Sequence, residues 1–360
     1  MEINNQTFLN ILFAKASAGG VPLAGSFELT SRCNLDCKMC YIHRRSFDRE
    51  ALLGEKNTDW WVSLAKKAKD AGMLMLLLTG GEPLLRTDFD DIYKASKEMG
   101  LLVSVNTNGV LLTEDKIRLF KSLPPQRINV SLYGMSAETY GDLCGNPDVF
   151  KNVVNSIKQL KTEGINVSVN YTVTPKNVHD AAKLQAFTAE NEIPVRATFH
   201  MFPPVRSTGD TLRLSPLQAA TAQYEWHKRR LGEKKLKEYA SALFSGKTQE
   251  EDPECGEKIN CRAGLSTFWV TWNGELRPCG MMNTPTEKMI DAEDFDAAWQ
   301  KIRRAREEIF FPPKCKNCEL KPFCDVCVAV CAAETGDFSG LPEYACEKAR
   351  AYKEMLLDNS

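Results

Sequence analysis

Three thiols lie within eight residues in the stretch CNLDCKMC, at Cys33, Cys37 and Cys40. Clustered cysteines in a reducing compartment more often bind metal than form disulfides. A structural zinc site is closed by four ligands, and His43 is the one further candidate nearby. Three thiolates on a cubane 4Fe-4S cluster instead leave one iron without a protein ligand, open to a substrate or cofactor. Both metal centres are compatible with the stretch taken alone.

The composition of the chain limits its partners and its compartment. Lys plus Arg is 46 and Asp plus Glu is 47 in 360 residues, so the balance indicates neither nucleic acid nor an anionic membrane as partner. The N-terminus lacks a basic region ahead of its apolar stretch, and the longest apolar run, MLMLLL at 73–78, is too short to span a bilayer. We expect a soluble cytoplasmic protein whose 13 cysteines stay reduced.

Strand-like and helical stretches alternate between residues 26 and 202. The predicted strands are 27–30, 74–79, 102–107, 128–133, 167–173 and 195–201, and the predicted helices are 58–71, 88–99, 113–121, 136–163 and 177–192. This alternation implies parallel strands with right-handed crossovers. Six units are too few for a closed eight-fold barrel, so the predicted class is α/β with an open, partial (β/α)6 barrel.

Several of these strands alternate in polarity. Asn106 lies on the polar face of its strand, Ser131 on that of the next, and Asn170 on that of the fifth. A barrel packed shut would carry Val, Ile and Leu on its inner face. The pattern therefore predicts a lumen that holds a polar ligand, with a solvent-facing sheet as the alternative.

Two motifs resemble those of the radical SAM superfamily. CNLDCKMC, at the end of the first strand, is similar to its Cys-x3-Cys-x2-Cys signature, and TGGEP at 79–83, at the end of the second strand, is similar to its Gly-Gly-Glu motif. The resemblance covers residues 26–202 and departs at Met39, where the family usually has an aromatic residue. It implies an enzyme that binds S-adenosylmethionine (SAM) at the open iron of a 4Fe-4S cluster. Cleavage of SAM, with an electron from a flavodoxin or ferredoxin, would give a 5′-deoxyadenosyl radical that abstracts hydrogen from a substrate.

The resemblance also implies a set of cofactor-binding residues. Glycines at the strand end allow close backbone approach, a carboxylate can accept hydrogen bonds from the SAM ammonium, and polar strand-end residues can contact the ribose or the carboxylate. These residues are Met39, Gly80, Gly81, Glu82, Asn106 and Ser131. An ordinary turn at GGEP and ordinary strand-end polar residues are the alternative.

A second group of cysteines lies in the C-terminal part of the chain and is similar to the SPASM extension of radical SAM enzymes. That extension carries two further 4Fe-4S clusters, which brings the expected total to three. By matched position the first auxiliary cluster would use Cys255, Cys261, Cys279 and Cys327 (or Cys331), and the second Cys315, Cys318, Cys324 and Cys346. Full ligation by protein implies electron transfer, and two structural zinc sites are the alternative.

The expected domain organisation follows from these features. Residues 1–25 form an N-terminal segment and residues 26–202 the partial barrel. Residues 203–254 form a helical linker region, residues 255–350 a small, irregular cysteine-rich domain carrying iron-sulfur clusters, and residues 351–360 a tail.

The substrate is less well defined by the sequence. Enzymes of this type mostly modify peptides or proteins, so a peptide or protein side chain is the leading expectation, and dehydrogenation or epimerisation of a small metabolite is the alternative. Gly280 follows Cys279 where sulfatase-maturing enzymes carry Asp, which argues against that activity. Only about 25 residues precede the first strand, so we expect any leader peptide to be read by another protein or not at all.

The substrate pocket has its own candidate residues. The first two are His200 and Asn170 on the inner strand face, followed by Tyr133 and Glu28. Cys144 stands where related enzymes often place Arg, so it is a candidate hydrogen donor or a small buried hydrophobe. Arg206 and Arg213 are candidates for holding a substrate carboxylate, with solvation as the alternative.

Overall fold

The central element is a nine-stranded sheet in a computed structural model that describes residues 5–42, 44–206, 212–245 and 261–358. The strands are β1 Ala24–Glu28, β2 Arg32–Cys33, β3 Arg44–Arg45, β4 Met75–Thr79, β5 Leu102–Thr107, β6 Arg127–Ser131, β7 Val167–Thr172, β8 Val195–Thr198, β9 Thr267–Val270, β10 Glu275–Arg277 and β11 Glu287–Lys288. Their order in the sheet is β11-β10-β9-β1-β4-β5-β6-β7-β8. The pairs from β9 to β8 are parallel, whereas β10 and β11 pair antiparallel. Strands β2 and β3 form a separate parallel pair.

The helices lie between and after these strands. They are α1 Asn5–Gly19, α2 Arg49–Gly54, α3 Thr58–Asp70, α4 Phe89–Glu98, α5 Glu114–Ser122, α6 Ala137–Cys144, α7 Val149–Thr162, α8 Ala181–Glu190, α9 Pro216–Phe244, α10 Phe295–Arg306, α11 Val328–Thr335 and α12 Glu343–Asp358. The side chains of Asn57, Thr113 and Ser136 each accept a backbone N–H at the start of a helix, which satisfies a donor that the first turn leaves free. Within the described residues, the helices include none with the length and hydrophobicity that a membrane span requires.

The predicted partial α/β barrel is confirmed. All six predicted strands are present, with ends shifted by about three residues or fewer. One long predicted helix, 136–163, is wrong, because two helices occupy this stretch. Gly145 ends the first of them in the left-handed conformation at φ 74°, and Pro147 follows. This is the usual way in which a helix is stopped.

The two faces of the sheet differ as the alternation predicts. Val105 and Ile128 pair across β5 and β6 and are fully buried on the side that the helices cover. On the other face, the Asn129 amide donates to Asn106 Oδ1 at 2.8 Å, and the Ser168 hydroxyl donates to Asn129 Oδ1 at 2.7 Å. The polar inner face is therefore confirmed as a hydrogen-bonded row across three parallel strands.

The sheet continues into the C-terminal part of the chain, where the sequence predicted no strand. β9 pairs in parallel with β1, and its Phe268 ring packs against Phe295 and Trp299 of α10 at centroid distances of 5.1 and 5.9 Å. These side chains belong to the same hydrophobic core as the barrel. Part of the expected boundary region, residues 246–260, lies outside the described residues, so the domain limits themselves stay predictions.

Replacing Phe295 by Ala tests whether this core is continuous. The ring is fully buried, so we expect Phe295→Ala to lower the free energy of unfolding by about 3–5 kcal/mol, measured by urea denaturation, with the barrel and the C-terminal strands unfolding in one transition. Phe47 is 75% exposed, and Phe47→Ala makes the same chemical change at about 0.5 kcal/mol or less. Equal effects of the two substitutions would contradict a shared core.

Candidate active site

The loop between β2 and β3, which we call the cluster loop (residues 33–45), holds the three N-terminal cysteines. Its base is closed by the pairing of β2 with β3. Arg32 fixes this base from inside the protein, because its Nε donates to Glu55 Oε1 at 2.7 Å and its Nη1 donates to the Ser46 carbonyl at 3.0 Å. His43, the candidate for the fourth ligand of a zinc site, lies outside the described residues.

The turn after β4, which contains Gly80 and Gly81, packs closely against the start of the cluster loop and is hydrogen-bonded to residues just before it. The Gly81 N–H donates to the Thr30 carbonyl at 2.7 Å, and the next N–H, of Glu82, donates to the Arg32 carbonyl at 2.9 Å. A Cβ built at Gly80 would lie 2.4 Å from the Thr30 oxygen, and one at Gly81 would lie 2.4 Å from the Arg32 oxygen. Only glycine permits this approach. The Gly-Gly pair therefore fixes the position of Cys33.

The Glu82 carboxylate is fully buried and does not line the cavity among the described residues. It accepts from the N–H of Leu84 at 3.0 Å, from the Thr107 hydroxyl at 2.9 Å and from the N–H of Asn108 at 2.7 Å. Burial raises its pKa to about 7, against the opposing effect of these three donors. In this structure the carboxylate joins the ends of β4 and β5, and direct contact with SAM stays a prediction.

The cluster loop is held from a second side by α6. The N–H of Lys38 donates to the Leu143 carbonyl at 2.9 Å, and that of Asp36 donates to the Cys144 carbonyl at 3.0 Å. The pKa of Cys37 is raised well above its usual value, first by a hydrogen bond with Cys144 and then by burial. The three cysteines are thus positioned by β2, the β4 turn and the end of α6.

Asn108 is a site residue that the sequence analysis missed. Its side-chain amide donates to Cys33 Sγ at 3.5 Å and to Asn34 Oδ1 at 2.8 Å. Asn108 directly follows β5, in the sequence NTNG. Polar residues at the carboxyl end of a parallel strand commonly contact a ligand, so its position could have identified it as a site residue. An N–H donor is what a thiolate ligand needs, because a buried sulfur anion otherwise lacks compensation.

A cavity of about 280 Å³ opens beside the three cysteines at the carboxyl ends of the strands. This is where parallel α/β sheets bind their ligands. Its wall combines polar strand ends with apolar side chains. The lining residues include Cys33, Cys37, Met39, Cys40, Tyr41, Ile42, Thr79, Gly80, Gly81, Asn106, Asn108, Ser131, Tyr133, Thr172, Thr198, His200, Met201, Phe202 and Met281. The structure thus brings together all predicted cofactor-binding residues except Glu82.

Two of the predicted substrate residues, His200 and Tyr133, line the cavity. His200 is the more informative of the two. It is 6% exposed, and its Nε2 is buried without a hydrogen-bond partner among the described residues. Burial, followed by nearby Lys348, lowers the pKa of the imidazole to about 4, so the ring is neutral at physiological pH. Tyr344 of α12 packs beside it at a ring-centroid distance of 5.1 Å. A neutral imidazole with a free nitrogen can bond to a ligand in the cavity.

Apart from Tyr133, the other predicted substrate residues lie outside the cavity lining among the described residues. Asn170, on β7, and the fully buried Cys144 are outside the cavity lining among the described residues. Glu28 is fully buried and accepts two hydrogen bonds from Arg206, at 2.9 and 2.8 Å. Arg213 pairs with Glu334 and stacks on an aromatic ring at 4.0 Å. Both arginines are therefore engaged inside the protein rather than solvated, and the roles of all these residues stay predictions.

The C-terminal cysteines form two groups. Cys261, Cys279 and Cys327 pack against the same small hydrophobic cluster. Burial raises the pKa of Cys279, and the nearby thiols of Cys327 and Cys261 raise it further. The second group comprises Cys315, Cys318, Cys324 and Cys346. Burial raises the pKa values of Cys315, Cys324 and Cys346, and neighbouring thiols of the group add to the effect.

Cys331 differs from the thiols of these two groups in being fully buried. It is fully buried one turn after Cys327, and its pKa of about 12 reflects burial first and then nearby Cys315 and Cys327. Cys255 lies outside the described residues. In the described ranges no three His, Cys, Asp or Glu side chains converge tightly enough to bind a single metal ion.

The donor set beside the cavity fits a cluster with one open iron. Three half-buried thiols line one wall of it, and burial raises the pKa of Cys33 to about 12, with Glu82 and the other two thiols adding to the effect. Such crowding of thiolates is costly without a cationic centre. Asn108 supplies a hydrogen bond to one sulfur from the protein side.

Comparison with known proteins is consistent with this geometry. Residues 27–187 match the sequence profile of the Radical SAM superfamily. The chain is 27% identical over 334 residues to the AdoMet-dependent heme synthase of Methanosarcina barkeri (strain Fusaro / DSM 804), covering 87% of this chain and 93% of that protein. Two solved structures share the fold. Native anSMEcpe with bound AdoMet has 17% identity and a TM-score of 0.71 over 94% of this chain and 99% of that one. Streptococcus suis SuiB bound to S-adenosylmethionine has 18% identity and a TM-score of 0.63 over 96% and 83%.

The burial of Glu82 predicts a pH-dependent stability. A carboxyl whose pKa is raised from 4.5 to about 7 on folding stabilises the protein fully below the lower value, and this contribution is lost as the pH rises through about 7. In iron-free protein we therefore expect the free energy of unfolding of the wild type to fall relative to Glu82→Gln between about pH 5 and pH 8. Urea denaturation across this range measures the difference, with exposed Glu138→Gln as control. Parallel pH curves for the wild type and Glu82→Gln would contradict the expectation.

Proposed function

Since this chain is a radical SAM enzyme with a SPASM-like C-terminal region, we propose that it uses SAM to abstract a hydrogen atom from a substrate held in the cavity at the strand ends. The observation that carries the proposal is that Cys33, Cys37 and Cys40 line the same cavity as Gly80 and Gly81 of the turn after β4. A reducing partner of the flavodoxin or ferredoxin type would supply the electron.

The residues that line the cavity would have separate roles in binding the cluster and SAM. Cys33, Cys37 and Cys40 hold the 4Fe-4S cluster and leave one iron for SAM. When bound, cluster and cofactor supply a 5′-deoxyadenosyl radical by one-electron cleavage of the sulfonium C–S bond. Backbone groups at Gly80 and Gly81 border the place for the amino-acid part of SAM. Asn106 and Ser131 present polar atoms to the ribose or the carboxylate, and Met39 covers the site from the cluster loop.

The cavity wall away from the strand ends is suited to excluding water. Tyr41, Ile42, Met201, Phe202 and Met281 form an apolar surface there. A reactive carbon radical is quenched by any nearby hydrogen donor, so a dry wall protects the intended transfer. His200 offers the polar contact on this side, through its neutral imidazole nitrogen. We assign it to the substrate rather than to SAM.

The first substrate candidate is a tetrapyrrole. It rests on the similarity to an AdoMet-dependent heme synthase that extends over 87% of the chain. The apolar wall and the free imidazole are compatible with a flat, hydrophobic ligand bearing polar groups. This places a small molecule ahead of the peptide side chain that the sequence alone favoured.

The second candidate, modification of a peptide or protein side chain, is kept on one observation of this chain. The cysteines after residue 260 form the two groups that the sequence analysis matched to the two auxiliary clusters of the SPASM extension. We propose Cys255, Cys261, Cys279 and Cys327 for one cluster and Cys315, Cys318, Cys324 and Cys346 for the other. Cys327 is preferred to Cys331 because it lies with Cys261 and Cys279.

Iron content tests the cluster assignments. Three cubanes predict about twelve irons per chain, and we expect anaerobically reconstituted Cys37→Ser and Cys327→Ser each to lose about four. Cys331→Ser is the matched control and should keep the wild-type value. A wild-type value near four would contradict both auxiliary clusters, and loss of iron in Cys331→Ser alone would exchange the assignments of Cys327 and Cys331.

Hydrogen transfer tests the function itself. We expect anaerobic incubation with SAM, dithionite and Fe-coproporphyrin III, the compound named in another relative, to yield 5′-deoxyadenosine and a tetrapyrrole of lower mass. Cys37→Ser should abolish both products. His200→Gln should raise the KM for the tetrapyrrole about tenfold or more, since it removes the free imidazole from the cavity. The same substitution at the exposed His179 should leave the KM unchanged.

A peptide pool is assayed in parallel, and a mass change in the peptides alone would transfer the assignment to the second candidate. Absence of SAM cleavage from cluster-loaded protein would overturn the proposal.

A further inference from the structure

The sulfur of Cys33 accepts hydrogen bonds from two N–H groups. The backbone N–H of Leu35 donates to it from within the cluster loop at 3.4 Å, and the side-chain amide of Asn108 donates to it from the end of β5 at 3.5 Å. Both distances exceed those of ordinary N–H···O bonds, because sulfur is a larger acceptor than oxygen. The contact from Asn108 is the more informative, since this residue lies 75 positions further along the chain and is brought to the sulfur by the fold.

The orientation of the Asn108 amide is fixed by its other hydrogen bonds. Its Oδ1 accepts the N–H of Val110 at 3.0 Å, and its Nδ2 donates to Asn34 Oδ1 at 2.8 Å. A backbone N–H can only donate, so the amide atom that faces Val110 must be the oxygen. The NH2 group is therefore the end of the amide that faces the sulfur.

The backbone of Asn108 is anchored by Glu82. The Asn108 N–H donates to Glu82 Oε2 at 2.7 Å, and the hydroxyl of the preceding Thr107 donates to Oε1 at 2.9 Å. The chain then turns at Gly109, whose φ of 81° lies in the left-handed region and where a Cβ would approach Val130 Cγ1 to 2.9 Å. The fold itself thus positions the amide beside the sulfur.

A hydrogen bond to a ligand sulfur stabilises the two redox states of a cluster unequally. When Cys33 binds iron, its sulfur is a thiolate, which accepts hydrogen bonds and donates none. One added electron increases the negative charge on the sulfurs, so an N–H donor stabilises the reduced state more than the oxidised state and raises the reduction potential. The effect is larger where the local dielectric is low, and Asn108 is only 7% exposed.

We propose that Asn108 is a positioning residue that donates an N–H hydrogen bond to Cys33 and thereby raises the reduction potential of the cluster that the three N-terminal cysteines hold. In this step one electron passes from the reducing partner to the cluster, and no covalent bond to Asn108 forms or breaks. The inference rests on the proposed function, because it requires a cluster at these cysteines. It gives control of the electron-accepting step to a residue that the sequence analysis missed.

Two substitutions that delete the same amide test the inference. Asn108→Leu keeps the approximate shape of the side chain and removes the donor to Cys33. Asn106→Leu makes the same change two residues earlier, on β5, where the amide oxygen accepts from Asn129. In redox titrations without SAM, followed by EPR, we expect Asn108→Leu to shift the reduction equilibrium of this cluster several-fold toward the oxidised state. Asn106→Leu should keep the wild-type equilibrium. The EPR component that changes when SAM is then added identifies the cluster.

A measurement on the wild type complements the titrations. Asparagine labelled with heavy nitrogen in its side chain is incorporated into the enzyme, and the reduced cluster is examined by pulsed EPR. We expect a coupling to the labelled nitrogen, which the unlabelled backbone N–H of Leu35 cannot produce. The coupling should be absent from Asn108→Leu.

Three outcomes would overturn the inference. They are an unchanged potential in Asn108→Leu with full iron content, an equal shift in Asn106→Leu, which would assign the effect to lost polarity, and a wild-type cluster without coupling to the labelled nitrogen. If Asn108→Leu does not retain its cluster, Asn108→Ser takes its place, because a serine hydroxyl can still accept the N–H of Val110 but is too short to reach the sulfur. Wild-type protein that binds no cluster at the three cysteines would refute the proposed function, and the inference with it.

Discussion

The rest of the site depends on one constraint: the thiols of Cys33, Cys37 and Cys40 lie close together in a poorly solvated wall of the cavity. Burial and mutual repulsion disfavour their charged form, as the raised pKa of Cys33 shows. A multi-iron cation reverses that balance when the sulfurs are held at its corners. The chain meets this requirement with backbone hydrogen bonds, from the turn after β4 to Thr30 and Arg32 and from the loop to the end of α6. Backbone bonds set positions with little freedom, which suits a cluster better than flexible side chains would.

The strands that carry this loop have to satisfy two opposed demands. Their outer faces need apolar residues to pack under the helices, and their inner faces need polar atoms for a charged cofactor. Alternation along each strand meets both, and the row formed by Ser168, Asn129 and Asn106 keeps the inner amides satisfied by one another. The same period of two that predicted the strands therefore also predicted the polarity of the lumen. Local sequence and global architecture agree here, which is typical of a well-determined fold.

The sequence could predict the parts of the site that spacing and period encode. The Cys-x3-Cys-x2-Cys run, the strand-end glycines and the polar inner face need only near neighbours to be recognised. The split between α6 and α7 was also readable, because Gly145 and Pro147 are ordinary stop signals. What could not be read is non-local: β9 is four residues long, and its pairing with β1 is set by packing against α10. The hydrogen bond from the Asp36 N–H to the Cys144 carbonyl and the burial of Arg206 against Glu28 likewise appear only once the chain is folded.

This last ion pair explains why the C-terminal region cannot be independent of the cavity. Glu28 is fully buried and carries two hydrogen bonds from Arg206 and one from Trp269 Nε1 at 3.1 Å. A buried carboxylate without these partners would be strongly destabilising. Because Trp269 lies on β9, docking of the C-terminal strands provides part of the compensation for a charge on β1, directly behind the cavity. Met281, from the same region, completes the cavity wall itself. The cysteine-rich part of the chain is thus coupled to the cavity through one shared buried charge and one shared surface.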